Sequence, residues 1–284
     1  MMYENLIKQI EQNSNLRISD FEVITERRTS RLIKFFDVNG STYACKMALG
    51  PDSGGPYNPD DSLRNEIIAY EKVGSILPQT VISHKDTKEN VWILMNWIDG
   101  TSSWEYFRGL VDKESNLESV GVSIKEIGLL LSSINEKGLL HGDLQPSHII
   151  KLPTGGFTVI DFGISQFSKC VIPYFGALVH YNSPEVAKEM ITGKKIDYKM
   201  SDEVYSFAAL CYTLLSGATP IKYSKPFQES LLEEMLNDIV KGEYSQPPEN
   251  IYTELSNSFL SIMKLDYLER PKSISECLQF VGLM

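Results

Sequence analysis

Apolar and polar residues alternate in short runs through the first fifty positions, a pattern typical of β-strands. Residues 21–25 alternate as one strand, residues 32–38 form a second run and residues 41–48 form a third. Asn39 and Gly40 separate the last two runs, and Asn-Gly favours a tight hairpin turn. The pattern predicts an antiparallel meander, preceded by a short helix around residues 3–10.

Further along, the spacing of apolar residues changes from strand-like to helical. Residues 91–95 form one more apolar strand, and residues 117–137 carry apolar side chains at helical spacing before Gly138, a favourable C-cap. A helix is also predicted at residues 63–73, after a stretch of turn formers at residues 50–62. Ser62 or Asp61 is its predicted N-cap.

Two carboxylates flank a second predicted hairpin. Asp161 follows Asp143 by eighteen residues, and between them lie two apolar runs, at residues 149–150 and 157–160, joined by Pro-Thr-Gly-Gly at residues 153–156. A hairpin this short brings the two carboxylates close together. Such a pair can accept a proton from a hydroxyl and hold Mg²⁺ on a nucleotide, as phosphoryl transfer requires. The alternative is that both residues only cap the turns.

Together with its neighbours, this pair resembles the active-site motifs of the protein kinase superfamily. The letters H-G-D-L at residues 141–144 and D-F-G at residues 161–163 are similar to the family's H-R-D-L and D-F-G. The resemblance favours the bacterial, eukaryotic-like kinases. It implies an α+β, two-lobed protein kinase-like fold in a single domain over residues 1–284. The small lobe, about residues 1–98, would hold an antiparallel sheet plus one helix, and the large lobe, residues 99–284, would be mostly helical.

The resemblance assigns a phosphate-binding lysine to the third strand. Lys46 lies in Y-A-C-K-M, which is similar to the family's V-A-I-K, and would contact the α- and β-phosphates of ATP. Glu66 of the following helix is its expected partner, because Ile67 and Tyr70 phase Glu66 toward the sheet; Glu71 is the competitor. The alternative is a strand lysine that extends into solvent.

The end of the strand at residues 91–95 resembles the segment that binds adenine in the family. Met95 takes the gatekeeper position, and the Asn96 carbonyl and the Ile98 amide would face the base.

The largest departure from the family pattern lies between the first two strands, where the glycine-rich loop is missing. Arg27, Arg28 or Arg31 can supply charge to the phosphates instead, and Thr29 or Ser30 can donate hydrogen bonds. The alternative is a solvated hairpin tip.

In the catalytic loop, the resemblance makes Asp143 the residue that orients the acceptor hydroxyl and accepts its proton. Asp161 would bind Mg²⁺. His148 stands where the family has a metal-binding asparagine, so it is either an altered ligand or a structural residue. Mn²⁺ is the second candidate ion.

Other departures concern regulation and substrate. Gly142 replaces the arginine that binds a phosphate on the activation segment, so activation by phosphorylation of that segment is not expected. Gln145 replaces a lysine typical of Ser/Thr kinases, and Leu178 replaces a threonine. His141 is expected to be a core residue.

Two further motifs belong to the large lobe. The run at residues 201–221 resembles its central helix, in which Glu203, or the adjacent Asp202, would brace the catalytic loop. Glu185, in a Y-N-S-P-E segment, is expected to pair with Arg270.

Composition narrows the partners and the location. A formal net charge of −10 argues against nucleic acid or an anionic membrane as the main partner. The four cysteines form no CxxC pair, and neither a signal-like N-terminus nor a membrane-length apolar run is evident. A cytoplasmic protein is therefore expected.

The leading functional hypothesis is an ATP-dependent phosphotransferase that acts on a hydroxyl, with Ser/Thr of a protein or peptide as the favoured acceptor. Gly142 and Gln145 favour an alternative, a small-molecule kinase of the aminoglycoside or choline type. A third hypothesis is a pseudokinase, a nucleotide-binding or scaffold module without chemistry.

Overall fold

The computed structural model of the protein describes residues 2–26, 30–50, 58–87, 91–111, 117–168, 170, 172–226 and 229–284. The chain divides into two compact units. The first comprises Met1–Asp99 with Lys169–Ile172, and the second comprises Gly100–Ser168 with Pro173–Met284. None of the helices in the described ranges is long and apolar enough to cross a membrane.

The first unit is built on a five-stranded antiparallel sheet with the order β1-β2-β3-β5-β4. Its strands are β1 (Ile18–Glu26), β2 (Ser30–Asp37), β3 (Thr42–Ala48), β4 (Val81–Asp86) and β5 (Val91–Asn96). The predicted Asn-Gly turn joins β2 to β3, with Gly40 at φ +84°. Asp37 closes the turn by accepting hydrogen bonds from the backbone N–H groups of Asn39 and Ser41.

A helix packs against each face of this sheet. Helix α1 (Met2–Ser14) buries Leu6 and Ile10 among side chains that include Phe35, Cys45 and Trp92. Helix α2 (Pro59–Val73) contacts β3, β4 and β5, and its Glu66 reaches Lys46. Because neighbouring strand residues point to opposite faces, Cys45 and Lys46 lie on different sides. Helix α1 confirms the short helix predicted around residues 3–10, in addition to the one helix predicted with the sheet of the small lobe.

The start of α2 differs from the prediction. The helix begins at Pro59 rather than at residue 63, and its N-cap is Asn58, whose side chain accepts a hydrogen bond from the N–H of Asp60. Ser62 and Asp61 lie inside the first turns, so the prediction that one of them caps the helix was wrong. Proline fits the first helical position because its missing N–H would have no helical partner there.

The second unit is mainly helical. Its helices are α3 (Ser103–Val111), α4 (Leu117–Glu136), α5 (Pro184–Thr192), α6 (Met200–Ser216), α7 (Leu232–Lys241), α8 (Thr253–Lys264) and α9 (Ile274–Phe280). Helix α6 is buried on every side from Asp202 to Leu215, as expected for a helix that is apolar around its circumference. It packs against α3, α8 and α9 and forms the centre of the unit.

Short strands hold the loops of the second unit in place. They are β6 (Thr101–Ser102), β7 (Leu139–Leu140), β8 (Ile149–Lys151), β9 (Phe157–Val159) and β10 (Gln166–Phe167). The predicted hairpin is present as β8 and β9, with Ile149 opposite Val159. A single 3₁₀ turn (Pro146–His148) precedes β8, so the loop that carries Asp143 is fixed at both ends.

Candidate active site

In the first unit, Lys46 and Glu66 form a close ion pair. The distance from Lys46 Nζ to Glu66 Oε1 is 2.6 Å, and the Glu66 side chain is only 3% exposed. Glu71 is exposed on the other side of the helix. The predicted pairing is confirmed. A buried carboxylate such as that of Glu66 requires a cation beside it. The ion pair in turn restricts where the Lys46 side chain can extend.

The predicted adenine-binding segment follows β5. Met95 is 1% exposed in the core of the unit. Asn96 is anchored by its side chain, which accepts a hydrogen bond from the Thr80 backbone at 2.5 Å and donates one to the Pro78 carbonyl. Its carbonyl accepts a long hydrogen bond of 3.4 Å from Gln79 Nε2. The segment is therefore held firmly, and the adenine contacts of Asn96 and Ile98 stay a prediction.

The structure describes only part of the arginine-rich turn between β1 and β2. Arg27 and Arg28 lie outside the described residues, as does Thr29. Arg31 forms an ion pair with Glu26 across the β1–β2 hairpin and lies over the ring of Tyr3. The guanidinium of Arg31 is thus already engaged by a carboxylate.

In the second unit, Asp143 lies at the centre of a small polar cluster. Gln145 Nε2 donates a hydrogen bond of 3.0 Å to Asp143 Oδ1, and Ser147 donates to Gln145 Oε1. Burial raises the pKa of Asp143, and the nearby Asp161 carboxylate acts in the same direction, whereas His148 and the hydrogen bond from Gln145 oppose the rise. A carboxylate of raised pKa is a stronger base, which suits a proton acceptor.

His148 lies between the two carboxylates. Its Nδ1 is 3.0 Å from the backbone carbonyl oxygen of Asp143. Because a carbonyl only accepts, Nδ1 carries a hydrogen and donates it. In the neutral ring, Nε2 then presents a lone pair toward Asp161 Oδ2, 3.6 Å away. Two acceptors this close favour a cation between them, either a proton on Nε2 or a metal ion.

Asp161 itself has an unusual backbone. Its φ is +68°, in the left-handed region that only short polar residues and glycine adopt readily. The conformation turns the chain sharply after β9, and the Asp161 side chain remains 45% exposed. The two predicted carboxylates are thus brought together, as the hairpin implied, with His148 linking them.

His141 is a core residue. It is fully buried, and its ring packs against Phe162 with the centroids 5.0 Å apart. Its Nδ1 accepts a hydrogen bond from the N–H of Asp143, so Nε2 carries the proton that is donated to the Ile160 carbonyl. Both nitrogens therefore serve to hold backbone, which agrees with the expectation that His141 is neither ligand nor base.

The brace of the catalytic loop is Glu203. Its fully buried carboxylate accepts hydrogen bonds from the backbone N–H of His141 (2.7 Å) and of Gly142 (3.1 Å). Burial raises the pKa of Glu203, while these hydrogen bonds lower it. Asp202 has another task, since it accepts hydrogen bonds from Ser183 and from the Lys199 N–H at the start of α6. The alternative that the sequence left open is settled in favour of Glu203.

The predicted ion pair between Glu185 and Arg270 is also confirmed. It is bidentate, with distances of 2.9 Å and 3.1 Å, and the Arg270 side chain is 1% exposed. The pair ties the start of α5 to the chain just before α9.

Two features of this region were missed by the sequence analysis. Tyr174 and Tyr198 are buried beside the catalytic loop, where they contact Gly142 and Glu203. The glycine at position 142 indicates room for a neighbour, but nothing in the sequence says which residue fills it.

The second feature is a cavity of about 440 Å³ in the second unit. It borders the catalytic loop, and its lining is mostly uncharged: Ser102, Trp104, Glu105, Gln145, Pro146, Ser147, Tyr181, Thr213, Gly217, Ala218 and Thr219. The one carboxylate among these residues, Glu105, accepts hydrogen bonds from Ser102 at the start of α3.

Comparison with known proteins gives several relatives with similar levels of sequence identity. Human serine/threonine-protein kinase Nek10 is 27% identical over 205 residues, which cover 69% of this chain and 16% of that protein. Calcium/calmodulin-dependent protein kinase type 1 of Caenorhabditis briggsae is 26% identical and covers 72% of this chain and 54% of its own length. A probable serine/threonine-protein kinase, PknB of Lactococcus lactis, is 24% identical, with shares of 63% and 30%. The chain thus matches only 16% to 54% of the length of these relatives.

The family comparison covers most of the chain. The model described as the protein kinase domain matches residues 30–280. The match includes Lys46, Glu66, Asp143 and Asp161, and it agrees with the antiparallel sheet of the first unit and the helices of the second. The predicted α+β kinase-like fold is confirmed, and the chain belongs to the protein kinase domain family.

Proposed function

We propose that this chain transfers the γ-phosphoryl group of ATP to a hydroxyl group, with Ser or Thr of a protein as the acceptor. The observation that carries the proposal is the setting of Asp143. Its carboxylate is 18% exposed, is oriented by Gln145 and has its pKa raised by burial. It can therefore orient an acceptor hydroxyl and take up its proton as the phosphoryl group arrives.

The lysine of the first unit supplies positive charge. Lys46 is 23% exposed, and Glu66 holds its ammonium group on the α2 side of the sheet. An ammonium in a defined position can neutralise charge on the α- and β-phosphates, and such preorganisation costs no rearrangement during the reaction. The role of Met95, Asn96 and Ile98 in adenine binding, and of Arg27 and Arg28 in phosphate binding, is part of the same proposal.

The residues around Asp161 fit a divalent metal ion. Among the described residues, no three His, Cys, Asp or Glu side chains are arranged to hold an ion by themselves. Asp161 and His148 would supply two ligands, and phosphate oxygens and water would supply the others, as is usual for Mg²⁺. His148 Nε2 lies 3.6 Å from Asp161 Oδ2, so that both atoms can contact one cation when Nε2 carries no hydrogen. The ion would neutralise phosphate charge, and imidazole as a ligand favours Mn²⁺ more than asparagine does.

The cavity beside the catalytic loop supports a peptide acceptor. It adjoins Gln145, which contacts Asp143, so a side chain of the acceptor can occupy it while the hydroxyl reaches Asp143. Trp104 and Pro146 contribute apolar surface to the cavity. Leu178, three residues before the lining residue Tyr181, has a side chain that is 41% exposed. Two of the three relatives described above are named as serine/threonine-protein kinases, which supports the same class of acceptor. We therefore expect an acceptor with an apolar residue near its hydroxyl.

The test is transfer of label from γ-labelled ATP with Mg²⁺ and with Mn²⁺. The acceptors would be the protein itself, a Ser/Thr peptide library and a panel of amino alcohols and aminoglycosides. Label on peptides, lost in Asp161→Asn, supports the proposal. Label on the small molecules alone would support the alternative acceptor class.

A second candidate function is a nucleotide-binding module without chemistry. The observation that favours it is His148 in the place of the family's asparagine, since an imidazole there changes the metal site. Binding of ATP with no transfer to any acceptor, under either metal ion, would support this module and contradict the proposed function.

A further inference from the structure

The backbone of Gly142 is closely packed and hydrogen-bonded. Its φ is +77°, and a Cβ at this position would lie 3.0 Å from the Ile164 carbonyl oxygen and 3.2 Å from Tyr174 Cε2. Its N–H donates to Glu203 Oε2 at 3.1 Å, and its carbonyl oxygen accepts from the Tyr174 hydroxyl at 2.7 Å. Both polar groups of the residue before Asp143 are therefore fixed by side chains.

Tyr174 brings a distant part of the chain to this position. It lies thirty-two residues after Gly142, in the segment between Asp161 and Glu185, and it is 2% exposed. Burial raises the pKa of its phenol well above the ordinary value, so the hydroxyl stays a neutral donor. Tyr174 also forms a β-bridge with Ile196, which ties its own backbone to the chain before α6.

A second tyrosine closes the arrangement. The ring of Tyr198 packs on that of Tyr174 with the centroids 4.3 Å apart. The Tyr198 hydroxyl donates to Glu203 Oε2 at 2.8 Å, the same oxygen that accepts the Gly142 N–H. Gly142, Tyr174, Tyr198 and Glu203 thus form a closed ring of contacts, called the tyrosine clamp below.

From this ring we propose that Tyr174 is a positioning residue, which holds the catalytic loop and the segment of residues 173–183 in their working arrangement. The clamp joins the two segments by the neutral hydrogen bond from the Tyr174 hydroxyl to the Gly142 carbonyl and by the packing of the Tyr174 ring on Tyr198.

The claim that the tyrosine clamp affects the rate of phosphoryl transfer rests on the proposed function. The claim that the clamp holds the two segments in place can be tested without any activity. The variant is Tyr174→Phe, which removes one hydroxyl and keeps the ring on Tyr198. The matched control is Tyr212→Phe, because the Tyr212 hydroxyl likewise donates to a backbone carbonyl, that of Ser245, at 3.0 Å. Hydrogen exchange followed by mass spectrometry reports on residues 139–146 and 173–183 without any need for activity.

We expect exchange in both segments of Tyr174→Phe to be faster by about fivefold to tenfold, the effect of one lost hydrogen bond. We expect kcat to fall about tenfold with the KM for ATP within about twofold, because the loss affects the position of Asp143 rather than nucleotide binding. Tyr212→Phe should leave both quantities unchanged.

Unchanged exchange in Tyr174→Phe would overturn the clamp, whatever the activity. If no wild-type transfer is found with any acceptor, the proposed function fails, and faster exchange in Tyr174→Phe would still support the clamp.

Discussion

The tautomer of His148 has a direct consequence for metal preference. Because Nδ1 donates to the Asp143 carbonyl, Nε2 is the atom that faces Asp161. An imidazole nitrogen binds Mn²⁺ in preference to Mg²⁺ more strongly than an amide oxygen does. We predict that His148→Asn raises the ratio of activity with Mg²⁺ to activity with Mn²⁺ by about threefold or more. Steady-state rates over a range of each metal concentration measure this ratio.

The matched control for that prediction is His84→Asn, a change at an exposed position of β4. It should leave the ratio unchanged. An unchanged ratio in His148→Asn as well would mean that His148 is structural only.

A second prediction at the scale of single residues concerns Gly142. A side chain there meets the left-handed backbone conformation and a carbonyl oxygen at 3.0 Å. We predict that Gly142→Ala lowers the free energy of unfolding by about 1–2 kcal/mol or more. Denaturation with urea measures the change, and Gly109→Ala is the control, because no atom lies within 4 Å of an added Cβ in that helix. Equal stability of Gly142→Ala and the wild type would contradict the close packing of the clamp.

The site residues differ in how far they could be predicted from the sequence. Lys46 and Glu66 were predictable as a pair, because the helix periodicity of α2 directs Glu66 toward the sheet that carries Lys46. Glu203 was predictable only as one of two adjacent carboxylates, because which of them points to the loop depends on how α6 is rotated in its surroundings. Tyr174 was not predictable as a partner of Gly142, because nothing local indicates a contact across thirty-two residues.

At the scale of elements, α1 was predicted only as a short helix around residues 3–10, without a packing partner. Ile10 is fully buried and Leu6 is 1% exposed against the sheet, and Trp92 donates a hydrogen bond from its ring to Gln9. We predict that Ile10→Ala lowers the free energy of unfolding by about 2–4 kcal/mol, the usual cost of a large-to-small core substitution. Lys8→Ala, at an exposed position of the same helix, should change it by less than about 0.5 kcal/mol. Similar small effects for both would mean that α1 does not pack on the sheet.

The ion pair between α5 and the chain before α9 gives a prediction about coupling. Glu185→Ala leaves the guanidinium of Arg270 buried without its carboxylate. We predict a loss of about 2–4 kcal/mol for this single change, and a smaller loss when Arg270→Met is added, because the unpaired charge is then gone. A double-mutant cycle by denaturation measures the coupling energy. Strictly additive losses would contradict a coupled pair.

Local chemistry explains which elements were predictable. The hairpin of β8 and β9 follows from its apolar runs and its Pro-Thr-Gly-Gly turn, and β2 and β3 follow from Asn-Gly. The start of α2 did not, because Asp and Ser inside the first turn carry the same capping signal as the true N-cap, Asn58. Strand β4 had no counterpart among the predicted strands, since its second half, from Ser83 to Asp86, is polar and lies at the sheet edge.

At the scale of the whole molecule, the net charge of −10 contrasts with the groups proposed to bind ATP. Lys46 is held in place by one buried carboxylate, so the proposed nucleotide binding would depend on local arrangement and not on overall charge. The chain matches only 16% to 54% of the length of the relatives. The cavity beside the catalytic loop is the feature of this chain that we propose to govern substrate choice.

The most direct measurement compares nucleotide binding and phosphoryl transfer in wild type and Asp143→Asn. We predict that both proteins are stabilised alike in thermal melts by ATP with Mg²⁺ or Mn²⁺, by about 2.7 kcal/mol at a ligand concentration of 100 times Kd. Only the wild type should transfer label from γ-labelled ATP to a Ser/Thr peptide, with a loss of about 100-fold or more in the variant, since its amide cannot take up the proton. Equal transfer by both proteins, or none by the wild type despite clear binding, would contradict the account of Asp143 as the catalytic base.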